Sequence, residues 1–163
     1  MYRSRLATRG DLPRIVEIYN STVASRDVTA DLEPVSVDSR IAWFEAHSPE
    51  HRPLWIAEID AGIAGWLSFS SFYGRPAYAH TAEISVYLDA AHRRRGLGGL
   101  LLDQAIAHAP SLGLRVLLAF VFAHNHASVA LFRSRGFESW GLLPRVALLD
   151  GVERDLAILG RRV

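Results

Sequence analysis

The feature that most constrains this chain is a basic, glycine-rich turn between two patterned segments. An alternating run, Ala82 to Leu88, precedes the turn, and an apolar run, Leu100 to Ala109, follows it. These patterns predict a strand before the turn and a helix after it. Glycines let the backbone approach a ligand, and the free N–H groups of a first helical turn attract anions. The turn, which includes Arg93–Gly99, therefore indicates a phosphate-binding site.

The spacing of this turn differs from the two commonest phosphate motifs. A dinucleotide fingerprint needs G-x-G-x-x-G, and a P-loop needs a lysine, a residue that this chain lacks entirely. Two other interpretations stay open: a basic loop that caps a helix, and an RNA contact through Arg93–Arg95. No aromatic platform is interleaved with the arginines, and the net charge is only +1, which disfavours RNA.

Length and composition favour one soluble enzyme-sized domain spanning residues 1–163. Half of the residues are apolar. The longest apolar run, Val116 to Ala123, is far shorter than the ~20 residues that span a bilayer. No apolar stretch follows the first residues, so we expect a cytoplasmic protein without a signal peptide. The absence of cysteine excludes disulfides, thiolate metal sites and a cysteine nucleophile.

Hydrophobic periodicity predicts seven strands and four helices. The predicted strands are Tyr2–Thr8, Leu54–Ile59, Ile63–Phe72, Thr81–Leu88, Leu114–Phe122, Phe137–Leu143 and Asp155–Leu159. The predicted helices begin near Asp11–Pro13 and cover Val37–His47, Gly98–His108 and Asn125–Arg135, with Ser36 or Asp38 capping the second. The stretch from Leu114 is expected to be a central, fully buried strand. The order indicates a mixed α/β domain with a central sheet.

Two motifs together resemble a known superfamily. The turn reads Arg93-x-x-Gly96-x-Gly98, which resembles the pyrophosphate-binding turn of the GNAT superfamily of N-acetyltransferases. The segment from Asn125 to Phe137 is similar to that superfamily's N-x-x-[SA]-x-x-[LF]-[YF]-x-x-x-G-[FY] pattern. The resemblance implies a single GNAT-type α/β domain with a mixed, mostly antiparallel sheet of about six or seven strands and about four helices.

The resemblance also implies acetyl-CoA as the co-substrate. The residues that would hold it are Arg93, Arg94, Arg95, Gly96, Leu97, Gly98 and Gly99 at the pyrophosphate, with Asn125 and Ser128 from the second motif. Asn125 alone is equally explained as a helix N-cap. Val86, Tyr87 and Leu88 would contribute backbone groups, because a strand splays here in the superfamily; an ordinary sheet edge is the alternative.

A third segment narrows the resemblance to a subfamily. The stretch from Arg75 to Leu88 resembles R-x-A-Y-x-x-T-[AV]-E-x-[ST]-V-Y of phosphinothricin and methionine-sulfoximine acetyltransferases. This implies Glu83 as the general base that deprotonates an amine; without the resemblance, Glu83 is an ordinary exposed strand residue. Arg75 would clamp the substrate's carboxylate or phosphinate. Tyr78 and Thr81 would line the same pocket.

Two departures from the family pattern affect the chemistry. Many relatives place a tyrosine at the position of Phe132 to protonate the leaving thiolate, so here a water or Tyr87 would act instead. The loop before Leu32 has Ala30 where relatives often have phenylalanine. The pair His124 and His126 hints at a metal, but without further ligands a loop beside the cofactor site is the better interpretation, and we expect no metal.

The sequence therefore predicts an acetyl-CoA-dependent N-acetyltransferase that acts on the α-amine of a small amino acid or analogue by direct attack. Homodimers are expected, with Trp140, Leu142 and Leu143 near the interface, and neither nucleic acid nor membrane is expected as a partner. The alternatives are an acetyltransferase for a protein N-terminus or an antibiotic, and a non-catalytic acetyl-CoA sensor.

Overall fold

A seven-stranded sheet extends from the first residues to the last in a computed structural model that describes residues 1–163. The strands are β1 (Tyr2–Leu6), β2 (Leu54–Ile59), β3 (Gly62–Ser71), β4 (Thr81–Leu88), β5 (Val116–Phe122), β6 (Glu138–Leu149) and β7 (Val152–Arg162). The helices are α1 (Leu12–Asn20), α2 (Ile41–Glu45), α3 (Leu97–His108) and α4 (His126–Arg133). None of these helices is long and apolar enough to cross a membrane.

The strand order in the sheet is β1-β2-β3-β4-β5-β7-β6. Every neighbouring pair is antiparallel except β4 and β5, which run parallel. A parallel pair needs a crossover connection, and α3 lies in the one between β4 and β5. The mixed, mostly antiparallel sheet with four helices confirms the predicted fold class.

The two faces of the sheet carry cores of different size. On one face, α3 and α4 cover the larger core, in which Leu67, Ile84 and Leu101 are fully buried. On the other face, α1 and α2 cover a smaller cluster built around Ile15 and Trp66. Successive side chains of each strand point to opposite faces of the sheet and so contribute to both cores. The smaller core leaves space beside the centre of the sheet.

The terminal hairpin is longer than predicted. We expected strands over Phe137–Leu143 and Asp155–Leu159, but β6 and β7 reach the tight turn at Asp150 and Gly151, both with positive φ. Register shifts after Ser139 and after Leu143 let β6 pass the glycine and proline that interrupt its alternation. A bulge disturbs the sequence period without ending the strand, which explains the error.

The second helix is shorter than predicted. Val37–His47 was expected to be one helix, whereas the structure has a 3-10 turn over Asp38–Arg40 followed by α2. Val37 occupies the N-cap position, and Ser36 instead accepts a hydrogen bond from the Ser39 amide at 3.1 Å. The burial and the length of β5 were also overstated, because a fully buried strand was expected from Leu114.

In that strand, the regular structure begins at Val116 rather than at the expected Leu114. Val116 and Phe120 are only half-buried, although the rest of β5 is buried.

Candidate active site

The sheet opens between β4 and β5. These strands pair only from Thr81 to Glu83, opposite Val116 to Leu118. Beyond Glu83, β4 continues beside β3 and β5 continues beside β7, so the two strands share no further pairing. The backbone groups of β4 that face β5 from Ile84 onward therefore have no strand partner. Val86, Tyr87 and Leu88 lie along this opening, as the splayed-strand interpretation required.

The glycine-rich turn follows directly and presents a row of free amides. Arg94 and Gly96 have positive φ values of 61° and 78°, and α3 begins at Leu97. The six consecutive backbone N–H groups from Arg94 to Gly99 donate to no acceptor in the chain, and the first helical bond joins the Leu100 amide to the Gly96 carbonyl at 3.1 Å. Free amides at a helix N-terminus bind anions.

The side chains around these amides reinforce the positive charge. Arg93 donates from Nε to the Leu88 carbonyl at 3.3 Å, and none of Arg93–Arg95 forms an ion pair. The nearby Asp89 is already engaged, because it accepts from the Ala91 amide at 2.8 Å and pairs with Arg14. Arg94, Arg95 and the terminal nitrogens of Arg93 therefore remain free to neutralise a phosphate.

The second motif is packed against the turn. A Cβ on Gly98 would lie 3.0 Å from Leu131 Cδ2 in α4, so this glycine lets the two helices approach without displacing that side chain. Asn125 is the N-cap of α4, and its side chain accepts from the Ser128 amide at 3.1 Å. The capping role that explained Asn125 is thus present. Its amide N–H groups and the Ser128 hydroxyl stay unbonded.

A cavity of about 220 Å³ lies on the smaller-core face of the sheet. Its walls come from α1, the loop after α1, α2 and the centres of β3 and β4. The lining residues are Ile15, Val16, Tyr19, Val35, Arg40, Trp43, Trp66, Ser68, Ser70, Glu83, Ser85 and Tyr87. The cavity starts at the level of Glu83, the residue at which β4 stops pairing with β5.

Glu83 is the one carboxylate in the cavity wall. It forms no hydrogen bond or ion pair with the protein, and it stands opposite Ser70 in the β3–β4 register. Burial raises the pKa of Glu83 above its ordinary value. A half-buried carboxylate without a partner and with a raised pKa can accept a proton near neutral pH.

Aromatic side chains from β3, β4 and α2 form another part of the wall. Trp66 stacks on Tyr87 with ring centroids 4.4 Å apart, and Trp43 meets Trp66 edge-on at 5.5 Å. The sequence analysis missed Trp43, Trp66, Arg40 and the serines of β3. It named Tyr87 only for its backbone groups and as a possible acid. The available signal was the alternation of Trp66, Ser68 and Ser70, which predicts that the three side chains share one face of a strand. This pattern does not indicate which helices cover that face.

Comparison with known proteins identifies the family to which the chain belongs. The model of the acetyltransferase (GNAT) family matches residues 14–137. The chain belongs to the GNAT family. A Bacillus subtilis protein named "Putative phosphinothricin acetyltransferase YwnH" is 53% identical over 160 residues, which cover 98% of each chain. The L-methionine sulfoximine/L-methionine sulfone acetyltransferase of Salmonella typhimurium is 32% identical and covers 95% of this chain and 91% of its own.

A solved structure gives the same result. The GNAT superfamily phosphinothricin acetyltransferase of Sinorhizobium meliloti, in complex with AcCoA, has a TM-score of 0.94 and is 29% identical, covering 99% of this chain and 88% of its own. Agreement over whole chains shows that this protein is an N-acetyltransferase of the GNAT fold.

The predicted substrate residues do not join Glu83 in the cavity of this GNAT domain. Arg75 is exposed at the start of a 3-10 turn, and its side chain contacts no acidic group. Tyr78 belongs to a partly exposed aromatic cluster with Phe72 and Tyr73. Thr81 lies two residues before Glu83 on β4 but outside the lining. Their roles in substrate binding stay predictions.

The position left without a tyrosine is fully buried. Phe132 packs edge-on against Phe137 with centroids 5.0 Å apart. Of the two substitutes considered, Tyr87 is half-buried in the cavity wall, and burial of its hydroxyl raises the pKa of that group. The GNAT domain therefore offers no ordinary tyrosine acid at either position.

Of the two histidines around the start of α4, His124 has contacts within the protein. His124 Nε2 lies 2.9 Å from the Arg26 carbonyl oxygen and 3.3 Å from an Asp27 carboxylate oxygen, while His126 is exposed. No three histidine, cysteine, aspartate or glutamate side chains gather in a group suited to a metal ion. His124 thus ties the loop after α1 to the turn that precedes the second motif.

Proposed function

We propose that this GNAT protein transfers the acetyl group of acetyl-CoA to the α-amine of a small amino acid or analogue in a ternary complex. The leading substrates are phosphinothricin, methionine sulfoximine and methionine sulfone, the compounds for which its relatives are named. The observation that carries the proposal is the unpartnered Glu83, set at the wall of a small cavity where two strands part. The cytoplasm, which supplies acetyl-CoA, is the compartment that this reaction requires.

The cofactor site in this proposal consists of the β4–β5 opening and the turn beyond it. The free amides from Arg94 to Gly99 suit a pyrophosphate, and Arg93–Arg95 add charge. The backbone of Val86–Leu88 would pair with the pantetheine arm, and its unpaired N–H groups would hold the thioester oxygen. Asn125 and Ser128 offer their unbonded polar groups from the opposite side.

The reaction forms one bond and breaks another. The acceptor nitrogen forms a bond to the carbonyl carbon of the thioester, and the carbon–sulfur bond breaks. The ammonium proton passes to Glu83, directly or through one water, since an amine must be neutral to attack. Holding both substrates in attack geometry supplies much of the acceleration. The chain contains no cysteine that could form an acetyl-enzyme.

The leaving thiolate receives, through water, the second proton that the acceptor nitrogen loses when the amide forms. Burial raises the pKa of Tyr87 beyond the ordinary value of about 10. A donor that is much weaker than the thiol it serves transfers its proton poorly. Tyr87 therefore serves as a cavity wall rather than as the acid, and Phe132 has no proton to give.

The cavity favours a small acceptor. Its volume of about 220 Å³ is below the ~300–1,000 Å³ typical of sites for drug-sized ligands. An amino acid fits such a space, whereas an aminoglycoside needs a wider groove. A peptide N-terminus would have to reach Glu83 past the loop after α1, of which Val35 forms part of the wall.

A homodimer is part of the proposal. β6 is the last strand of the sheet, so its outer edge has no partner. The hairpin exposes several large apolar side chains: Trp140, Leu142, Leu143, Val146 and Leu148. An apolar edge strand is a surface that a second copy can cover.

Sedimentation tests this assembly. The intact protein should have twice the 18.1 kDa mass of the chain, and Leu142→Glu should reduce it to one copy. Tyr73→Glu, a change at an exposed aromatic elsewhere, is the matched control and should leave the dimer intact. A monomeric wild-type protein would refute the dimer.

Thiol release from acetyl-CoA tests the function. Because the protein has no cysteine, a thiol-reactive dye detects only free CoA. The acceptors are methionine sulfone, methionine sulfoximine, phosphinothricin, the common amino acids, a peptide and an aminoglycoside, each under identical conditions.

The proposal predicts release with the amino-acid analogues. Release only with the peptide or the aminoglycoside would replace the proposed substrate with a protein N-terminus or an antibiotic. Tight binding of acetyl-CoA without release for any amine would instead indicate a sensor.

A further inference from the structure

The acceptor cavity contains one positive and one negative side chain. Arg40 and Glu83 are its charged lining residues, and the remaining walls are aromatic, aliphatic or hydroxylated. Both charges act on the Tyr87 hydroxyl: burial is the main cause of its raised pKa, which Glu83 raises further and Arg40 lowers. A cavity with this charge pattern matches a molecule that carries an ammonium and a carboxylate.

Arg40 is held in place before any substrate arrives. Its Nη2 donates to Asp31 Oδ2 at 2.9 Å, and its guanidinium carbon lies 4.9 Å from the centroid of the Tyr19 ring. Tyr19 also donates its hydroxyl proton to Asp31. A fixed, planar guanidinium loses little conformational entropy when it binds an anion.

The arginine still has donors to offer. The bond to Asp31 is the one hydrogen bond that its guanidinium makes, so Nε and Nη1 donate to no protein atom. The side chain is 28% exposed at the cavity wall. Unsatisfied N–H groups in a fork geometry are suited to a carboxylate.

Glu83 complements Arg40 in the opposite sense. It has no internal partner, as described above, so its charge is available for an ammonium group or for the proton that this group loses. In an α-amino acid, the amine and the carboxylate are attached to the same carbon. A carboxylate fixed at Arg40 thus restricts where the amine can lie.

We propose that Arg40 binds the carboxylate of the acceptor and thereby positions its α-amine at Glu83. The inference rests on the proposed function and specifies its substrate class as α-amino acids rather than simple amines. Arg40 replaces Arg75 as the carboxylate anchor, because Arg75 lies outside the cavity. Trp43 and Trp66 receive the acceptor's side chain.

The test uses two acceptors that differ by one group. Methionine sulfone carries the carboxylate, and 3-(methylsulfonyl)propylamine has the same sulfone and amine without it. Thiol release is measured for both acceptors with the wild type, Arg40→Gln, Arg40→Lys and the matched control Arg75→Gln.

The Arg40→Gln change should raise KM for methionine sulfone at least tenfold while kcat changes little. The same change should leave kcat/KM for the propylamine within twofold. Arg40→Lys should lie between the wild type and Arg40→Gln, because a point charge lacks the fork. Arg75→Gln should change neither acceptor.

A further variant distinguishes the effect of losing the ion pair with Asp31 from the effect of losing the guanidinium of Arg40. Asp31→Asn removes the ion pair but keeps the guanidinium and an amide oxygen that can still accept its hydrogen bond, so KM for methionine sulfone should stay nearly unchanged. If Arg40 only held the loop, Asp31→Asn would reproduce the defect of Arg40→Gln with both acceptors. That result would overturn the proposal, as would a defect found in Arg75→Gln instead.

The two proposals fail in different ways. A wild-type protein that acetylates no amino acid, but does acetylate a peptide or the propylamine, contradicts the proposed function. A wild-type protein that acetylates methionine sulfone, with Arg40→Gln unchanged, contradicts only the role of Arg40. If Arg40→Gln does not fold, Arg40→Lys with the two acceptors gives the same decision.

Discussion

Asp11 and Glu83 are both partly or fully shielded carboxylates, yet their surroundings are opposite. Asp11 receives two hydrogen bonds from the guanidinium of Arg5, at 2.8 and 3.0 Å, and two more from the amide and hydroxyl of Thr8. The hydrogen bond from Arg5 is the main cause that lowers the pKa of Asp11 to about 2. Glu83 has no partner, and burial raises its pKa.

The difference separates a carboxylate that holds the fold from one that is kept for chemistry. A satisfied, ionised Asp11 fixes the corner between β1 and α1, and removal of its charge leaves Arg5 with one acidic partner fewer. An unsatisfied Glu83 gains nothing from its charge until a substrate arrives. Substitution of each carboxylate by its amide should therefore give opposite results.

Glu83→Gln should cause the largest loss of activity. Without a proton acceptor, kcat should fall at least ~100-fold, whereas the Kd for acetyl-CoA, measured by calorimetry, should stay the same. Full activity in this variant would remove Glu83 from the mechanism and with it the contrast to Asp11.

The same variant should not lose stability. A carboxylate whose pKa is raised on folding stabilises the protein below its unfolded pKa, and this contribution is lost as pH rises through the folded pKa. At pH 7 the ionised Glu83 is thus a cost, which glutamine removes. Urea unfolding at pH 7 should show an unchanged or higher midpoint.

Asp11→Asn should do the reverse. The lowered pKa of Asp11, about 2 against an ordinary 3.8, corresponds to about 2 kcal/mol of the free energy of unfolding at neutral pH. Urea unfolding should detect this loss, and kcat should remain as in the wild type because Asp11 lies outside the cavity. A large loss of kcat with unchanged stability would contradict the structural role.

The stability of the two proteins at acidic pH tests the structural role of Asp11 further. Because its pKa is lowered on folding, its contribution is complete above the unfolded pKa and is lost as pH falls from about 4 towards about 2. The wild type should therefore lose its stability advantage over Asp11→Asn across that window. Equal unfolding curves of the two proteins at pH 7 would show that Asp11 contributes nothing.

Two glycines can be compared in the same way, one at the candidate phosphate site and one elsewhere in the fold, with a smaller expected change in stability and binding. Gly96 and Gly113 have φ values of +78° and +73°, and a Cβ on either would meet no atom within 4 Å. Alanine at each should cost about 1 kcal/mol of stability through backbone strain alone. Only Gly96→Ala should also raise the Kd for acetyl-CoA, since Gly96 shapes the row of free amides. Equal Kd values for both variants would argue against the turn as the phosphate site.

The sequence predicted the fold where each pattern was local. The strand, turn and helix from Thr81 to His108 follow from alternation, glycine and helical spacing. The β6–β7 hairpin did not, because its bulges break the period, and α2 did not, because its first turn is 3-10. The splay of β4 from β5 depends on pairing between distant segments, so only the structure shows it.

The site was predicted unevenly for the same reason. Glu83 and Arg93–Gly99 belong to contiguous motifs, so the sequence alone singles them out as candidates. Arg40 and Trp66 come from a helix and a strand that meet only in three dimensions, and no local pattern joins them. Arg75 was also chosen from a contiguous motif, and it is not among the residues that line the cavity.

The pH dependence of kcat/KM for methionine sulfone, compared between the wild type and Glu83→Gln, tests the central claim most directly. The raised pKa of Glu83 predicts that wild-type kcat/KM falls as pH drops through a value above the ordinary ~4.3 of glutamate, since the base becomes protonated. The residual activity of Glu83→Gln should lack this acidic limb, while the titration of the amine affects both proteins alike. An identical acidic limb in both proteins would contradict the assignment of Glu83 as the base.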